Sequence, residues 1–213
     1  MPNQKTPATA VGPAGALARP DWRAGGELTA PELRLEQKYR RQRIRRHLRL
    51  AHGWGVVCGL NVVAANGGEG WDLVICPGYG IGPCGDEIVA PSQVRFNLRD
   101  FLWTRPIGVS GRRAWIAIEA AEIPSAYQSA PGAACGCDCG DPGEETSRLA
   151  EGLEVVVSWA PPVLPQRGFD ICRGGAPACP ECPESCALPL ASVVLPGLDE
   201  LIDNSAIDNL GDR

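Results

Sequence analysis

The hydrophobic rhythm of the chain changes near residue 53, and most of its organisation follows from that change. Over residues 29–50 charged and polar positions dominate, and apolar residues return at helical intervals. Leu33, Ile44, Leu48 and Ala51 fall on one stripe, interrupted by Gln37 and Arg41, while Leu35 and Tyr39 form a second short line. Thr29 and Glu32 make a T-x-x-E capping box, in which each side chain reaches a backbone N–H that the first turn leaves unpaired. Leu28 and Leu33 stand where a hydrophobic staple would, and Pro31 occupies the first turn, where its missing N–H costs little. Glu32 and Glu36 lie near the positive end of the helix dipole, the arginines and His47 near its negative end. The pattern predicts one helix over 29–50, stopping at His52-Gly53-Trp54-Gly55, where Gly53 can take the left-handed conformation of a helix end. So polar a helix cannot be wholly buried in its own domain.

From Gly55 the period becomes strand-like. Residues 56–63 read as one β-branched strand leading into the turn Asn66-Gly67-Gly68, and residues 71–76 as the returning strand with Trp71, Leu73 and Ile75 on one face. Residues 77–85, rich in Gly and Pro, read as a kinked link into a strand at 87–90. Further strands are predicted at 113–122 and 153–159, with a short helix or turn around Asp100 and Trp103. The expected fold is mainly β: one long N-terminal helix before a small antiparallel β-sandwich or barrel. An extended Pro/Ala/Gly-rich arm (1–24) precedes a single helix-plus-β domain (25–195) with cysteine-rich loops at 124–148 and 161–189, and an acidic, partly helical tail (196–213) closes the chain.

Composition supports this picture and narrows the function. Gly and Pro number 26 and 20 in 213 residues, which suits short strands and extended loops better than a helical bundle. No apolar run reaches the roughly 18 residues of a membrane span, and the N-terminal residues lack a signal-peptide core; the expected location is the cytosol. The net charge of −5 conceals an asymmetry: residues 38–49 hold seven cations and no acid, leaving −12 for the rest. A surface polarised in this way favours oriented docking. The candidate docking residues are Tyr39, Arg40, Arg41, Arg43, Arg45, Arg46, His47, Arg49, His52 and Trp54. Seven cations in twelve residues could instead grip phosphates, although the helix lacks the aromatic interleaving of single-strand binders and no helix-turn-helix partner precedes it.

Seven of the ten cysteines lie in the two loops: Cys135, Cys137 and Cys139 as C-x-C-x-C, then Cys172, Cys179, Cys182 and Cys186 as C-x6-C-x2-C-x3-C. Two residues between Cys179 and Cys182 let both thiolates reach one tetrahedral ion, so four of the seven could hold a structural zinc drawn from both loops. Disulfides formed after release from the cell, or free thiols, fit the same spacing. Cys58, Cys76 and Cys84 are expected as small buried residues of the β-module. Gly78 to Gly82 imitate a phosphate-cradling loop, but Pro83 and another strand follow where a nucleotide fingerprint needs a helix. No nucleophile elbow, metallohydrolase motif or carboxylate pair is present, so the expectation is a protein that is not an enzyme.

The same residues resemble a known family. Small proteins of phage-tail-like contractile injection systems, and modules at the start of some phage tail and baseplate proteins, open in a similar way. The matching residues here are Trp22, Gly25, Leu28-Thr29-Ala30, Glu36-Gln37, Tyr39, His47 and His52-Gly53-Trp54-Gly55-Val56-Val57-Cys58-Gly59-Leu60. Pro77-Gly78-Tyr79 and Gly85-Asp86-Glu87-Ile88 continue the likeness, as do Ser147-Arg148, Glu151-Gly152, the cysteine-rich segment and Ile207-Asp208-Asn209. The sequence departs at Arg23, where an aromatic is usual, at Leu48 for Asn, and at Gly82 for an acid. The resemblance implies a structural or adaptor subunit at the baseplate or at a fibre attachment, with baseplate, fibre or spike proteins as partners, and no catalytic residues. It also implies an oligomeric setting within a particle that can be released from the cell.

Overall fold

The computed structural model describes residues 17–65, 70–105, 112–129, 144–163, 183–197 and 200–210, with backbone only at 127–129 and 144–147. The chain divides into two compact units, Met1–Arg46 and His47–Arg213.

The first unit contains α1, Ala30–His47. Its start follows the capping-box chemistry: the Glu32 N–H faces Thr29 Oγ1 at 3.5 Å, and the Thr29 N–H and hydroxyl both approach Glu32 Oε2, at 3.4 and 3.2 Å. The first full turn is closed by the Leu33 N–H on the Thr29 carbonyl at 3.1 Å.

The second unit is all antiparallel sheet, as the sequence predicts. It opens with a wider helical turn, Leu48–His52, ended by Gly53 at φ 79°, whose N–H donates to the Leu48 carbonyl. Among the described residues ten strands follow: β1 Gly55–Gly59, β2 Val62–Ala64, β3 Asp72–Ile75, β4 Gly78–Ile81, β5 Glu87–Ala90, β6 Val94–Asn97, β7 Arg113–Ser129, β8 Glu144–Ser158, β9 Leu188–Val194 and β10 Ile207–Asn209. They form three sheets, ordered β1-β4-β5, β2-β3-β6 and β10-β9-β7-β8. Their apolar faces meet in one core. Trp71, Leu73 and Ile75 of the second sheet lie there with Ile88 of the first and Ala114, Ile116, Ile118, Leu190 and Val193 of the third. Between Asn97 and β7 a tight helical segment, Leu98–Thr104, buries Leu98 where a short helix or turn is expected.

Four sequence expectations change. The strand expected over 56–63 is two strands in two sheets, because Gly59 and Leu60 take φ 62° and 59° and turn the chain between them. The glycine-rich link is β4, the middle strand of its sheet. Its glycines are set by close approach: a Cβ at Gly78 would meet the Cys58 carbonyl and Leu60 N, and one at Gly80 the Leu188 side chain. The loop at 124–148 is shorter than expected, since β7 continues to Ser129 and β8 begins at Glu144. The tail, expected to be partly helical, holds one short helical turn, Asn204–Ala206, and then the strand β10, which the sequence pattern does not predict.

Strand β9 escapes the sequence pattern altogether, although it lies between β10 and β7 and is buried from Leu188 to Val193. With both faces covered it has no polar alternation to signal it, and Pro189 argues against a central strand. The proline is accommodated where the β7–β9 register shifts, between Ile116 and Ala117.

The closing residues seal the second sheet. Strand β2 has β3 on one side; on the other, the Val62 N–H donates to Asn209 Oδ1 at 2.7 Å and Asn209 Nδ2 donates back to the Val62 carbonyl at 3.0 Å. The Ala64 N–H donates to Asn204 Oδ1 at 2.8 Å. Side-chain amides thus take the place of a neighbouring strand, which blunts an edge that would otherwise offer its peptide groups to another chain. Upstream, Trp71 Nε1 donates to the Glu200 carbonyl at 3.1 Å, and the Ile202 N–H to the Gly70 carbonyl at 2.7 Å.

Candidate docking surface

No residue of α1 is buried. Its apolar side chains are open to solvent, Leu33 at 47%, Leu35 at 39% and Ile44 at 53% relative exposure. The partly covered positions run along another line, Glu36, Tyr39, Gln42 and Arg45, with Arg49 continuing it in the turn beyond. Lys38, Arg40, Arg41, Arg43, Arg46 and His47 are exposed, and Arg40 meets Glu36 one turn back at 2.7 Å. An exposed pair of this kind adds little to stability, so the cations are available as a surface. At the helix end His47 and His52 contact edge to face, with ring centroids 5.3 Å apart.

Trp54 does not belong with these docking residues. It is 7% exposed and lies in the core of the second unit, where it holds the start of β1. Its place beside the basic helix in sequence concealed this, because a Trp at a glycine corner can anchor either a core or an interface.

The cysteines of the β-module also differ from expectation. Cys84, in the turn between β4 and β5, is joined to Cys186, just before β9, with Cα atoms 5.0 Å apart. Cys84 is therefore not a simple buried residue, and Cys186 as a disulfide offers no thiolate to a metal. Cys58 is exposed and Cys76 half-buried, and both are free thiols. Cys135, Cys137, Cys139, Cys172, Cys179 and Cys182 lie outside the described residues. Among the described residues no group of three or more His, Cys, Asp or Glu is placed to hold a metal ion, and no helix is long and apolar enough to cross a membrane.

Several residues that carry the sequence resemblance act as clips within the fold. Tyr79 of β4 donates to Glu87 Oε1 of β5 at 2.7 Å. That hydrogen bond, with burial and the carboxylate charge adding to it, pushes the Tyr79 phenol up to about 12. Gly59 and Leu60 make the corner between two sheets, and Asn209 closes β2. Asp203 accepts from the Ser205 hydroxyl at 2.6 Å and from the Ser205 N–H at 2.8 Å, and these bonds lower its pKa.

Two surfaces went unread in the sequence. At one, Trp103 is 84% exposed, while Trp159 Nε1 donates to Thr104 Oγ1 at 2.9 Å and the Arg105 guanidinium lies 5.7 Å from the Trp159 ring centre. The signal was available in the apolar spacing of Leu98 and Leu102, which leaves Trp103 off the buried side. The other is the far half of the β7–β8 hairpin. Strand β9 pairs with β7 from Arg113 to Ile118, and beyond that, among the described residues, the sheet narrows to two strands. On this ribbon Glu119 stands directly opposite Glu154 and Glu122 opposite Glu151, and Ile123 and Leu149 are 50% and 56% exposed.

No protein-family model matches the sequence, and no curated protein matches it. Among solved structures, the chain is similar to a chain of the TssK-TssF-TssG baseplate subcomplex of the type VI secretion system, at 13% identity and a TM-score of 0.38, covering 91% of this chain and 60% of that one. It is also similar to TssK in its crystal structure, at 14% identity and a TM-score of 0.40, covering 91% of this chain and 41% of that one. The chain thus spans less than two thirds of either, and scores this low do not establish a shared fold.

Proposed function

We propose that this chain is a non-enzymatic structural or adaptor subunit of a phage-tail-like contractile injection particle, placed at the baseplate or at a fibre or accessory attachment. The observation that carries the reading is α1, a capped helix with a cationic surface and no buried residue. A helix of 18 residues with no fully buried side chain gains little from packing, and a short helix is marginal in water without that gain, so α1 is best explained as an element completed by another subunit. The sequence resemblance through the helix and the His52 to Leu60 corner names the kind of assembly.

On this reading the protein is made in the cytosol and built into a particle that is later released. The six cysteines outside the described residues are proposed as structural staples, by zinc or by disulfides. Metal analysis of the purified protein separates the two: one zinc per chain supports the first, and intact disulfides without zinc the second.

The test of function is co-purification of a tagged chain with sheath, tube and baseplate proteins from a producing cell. Recovery with intact particles, lost when Arg43 and Arg46 are both changed to Glu, is the expected outcome. A chain absent from purified particles overturns the reading. The exposed cations also favour a second reading, a nucleic-acid-binding protein; filter binding across a salt series decides it, because phosphate contacts give a steep salt dependence and absence of binding at low salt eliminates it.

A further inference from the structure

Two elements of this chain are exposed and opposite in charge, α1 and the outer β7–β8 ribbon. The ribbon runs from Glu119 to Ser129 and back from Glu144 to Glu154, roughly 33 Å at the usual strand rise. A two-stranded ribbon is marginal by itself. Its described side chains set Glu119, Glu122, Glu151 and Glu154 against one cation, Arg148. Like charges directly opposite each other on neighbouring strands destabilise the pairing, so the Glu119/Glu154 pair works against the ribbon in isolation. Beside that pair Ile123 lies over Gly152, half exposed. The ribbon therefore presents carboxylates next to apolar surface, and α1 presents cations next to exposed Leu33, Leu35 and Ile44.

We propose that the β7–β8 ribbon of one copy docks on α1 of a second copy, head to tail. The inference rests on the reading of α1 as a docking element and names its partner. Both complementary surfaces belong to one sequence, so a docked pair still has one unoccupied helix and one unoccupied ribbon. A contact of this type closes into a ring or extends as a filament, according to the rotation between copies.

The experiment uses the full chain and light scattering after size exclusion, at several concentrations and salt levels. The wild type is expected to form concentration-dependent oligomers at low salt that fall to monomers near 1 M salt. The variant Glu119→Gln with Glu154→Gln removes the cross-strand repulsion, so it should unfold no more readily than wild type, yet raise the self-association Kd at least tenfold. The variant Arg43→Glu with Arg46→Glu should be monomeric. An equimolar mixture of a Glu119→Gln, Glu154→Gln chain with the helix variant should stop at a one-to-one dimer, since only one intact helix and one intact ribbon remain in each pair and the neutral ribbon offers the Glu-bearing helix no opposite charge. A wild type that stays monomeric at every concentration, Gln variants that assemble like wild type, or a mixture without dimer overturns the proposal. A monomeric chain that still co-purifies with particles overturns this contact alone and leaves the adaptor reading standing.

Discussion

At the scale of single residues, the fold depends on side chains that complete backbone hydrogen bonding. Asn209 is the clearest case, since its amide both accepts from and donates to Val62, which is 1% exposed. Asn209→Ala leaves a buried N–H and C=O short of a partner, at a cost of about 1–3 kcal/mol. Chemical denaturation should show that loss, and Asn209→Asp, which keeps the acceptor but loses the donor, should fall between alanine and wild type. Tyr79 gives a pH prediction. Its phenol is raised from 10.0 to about 12 in the folded chain, so the neutral form is the one the fold favours. That contribution is complete below the unfolded value and is lost as pH rises toward 12. Ultraviolet titration of phenolate should show one late step among the tyrosines, absent in Tyr79→Phe and moved down in Glu87→Gln.

At the scale of elements, the corner at Gly59 and Leu60 decides how the sheets connect. A Cβ at Gly59 would fall on the Pro77 carbonyl, a backbone atom with little freedom to yield, and φ there is 62°. Gly59→Ala should therefore lose roughly 2–4 kcal/mol in a thermal or denaturant melt. Leu60→Gly sets two effects against each other. Relief of the left-handed residue returns about 1–2 kcal/mol, while deleting the fully buried leucine side chain costs about 2–5 kcal/mol, so the net effect is a smaller loss.

The legibility of the sequence divides along the same physical line. The helix start was readable because capping is local, and the face of β3 because Trp71, Leu73 and Ile75 alternate cleanly. The β1–β2 break was not readable, because Leu60 in a left-handed conformation carries no local signature. Strand β4 read as a link because neighbours from distant segments set its glycines. Of the candidate docking surface, the cationic helix was legible from charge alone. Trp54 was misassigned because burial depends on the whole fold, and the ribbon's carboxylate pairs depend on a register that only the structure reveals.

At the scale of the whole molecule, the Cys84–Cys186 disulfide links the β4–β5 turn to the approach to β9 across 102 residues. Closing a loop of that size restricts the unfolded chain by up to about 4–5 kcal/mol. Reduction, or Cys84→Ser, should lower the denaturation midpoint by an amount corresponding to about 2–5 kcal/mol. Thiol counting should then find a newly reactive Cys186. A midpoint unchanged by reductant would show that the bond adds nothing to the fold. Such a bond belongs to an oxidising setting.

The bond between Asn209 and Val62 also has a consequence in time. The two residues are 147 positions apart, and at roughly 5–20 residues per second of synthesis the second follows the first by about 7–30 seconds. Throughout that interval the open edge of β2 has no cap, while α1, which precedes Val62, has already been made. A nascent chain of this protein is therefore able to meet a partner through its helix before its own sheet can close.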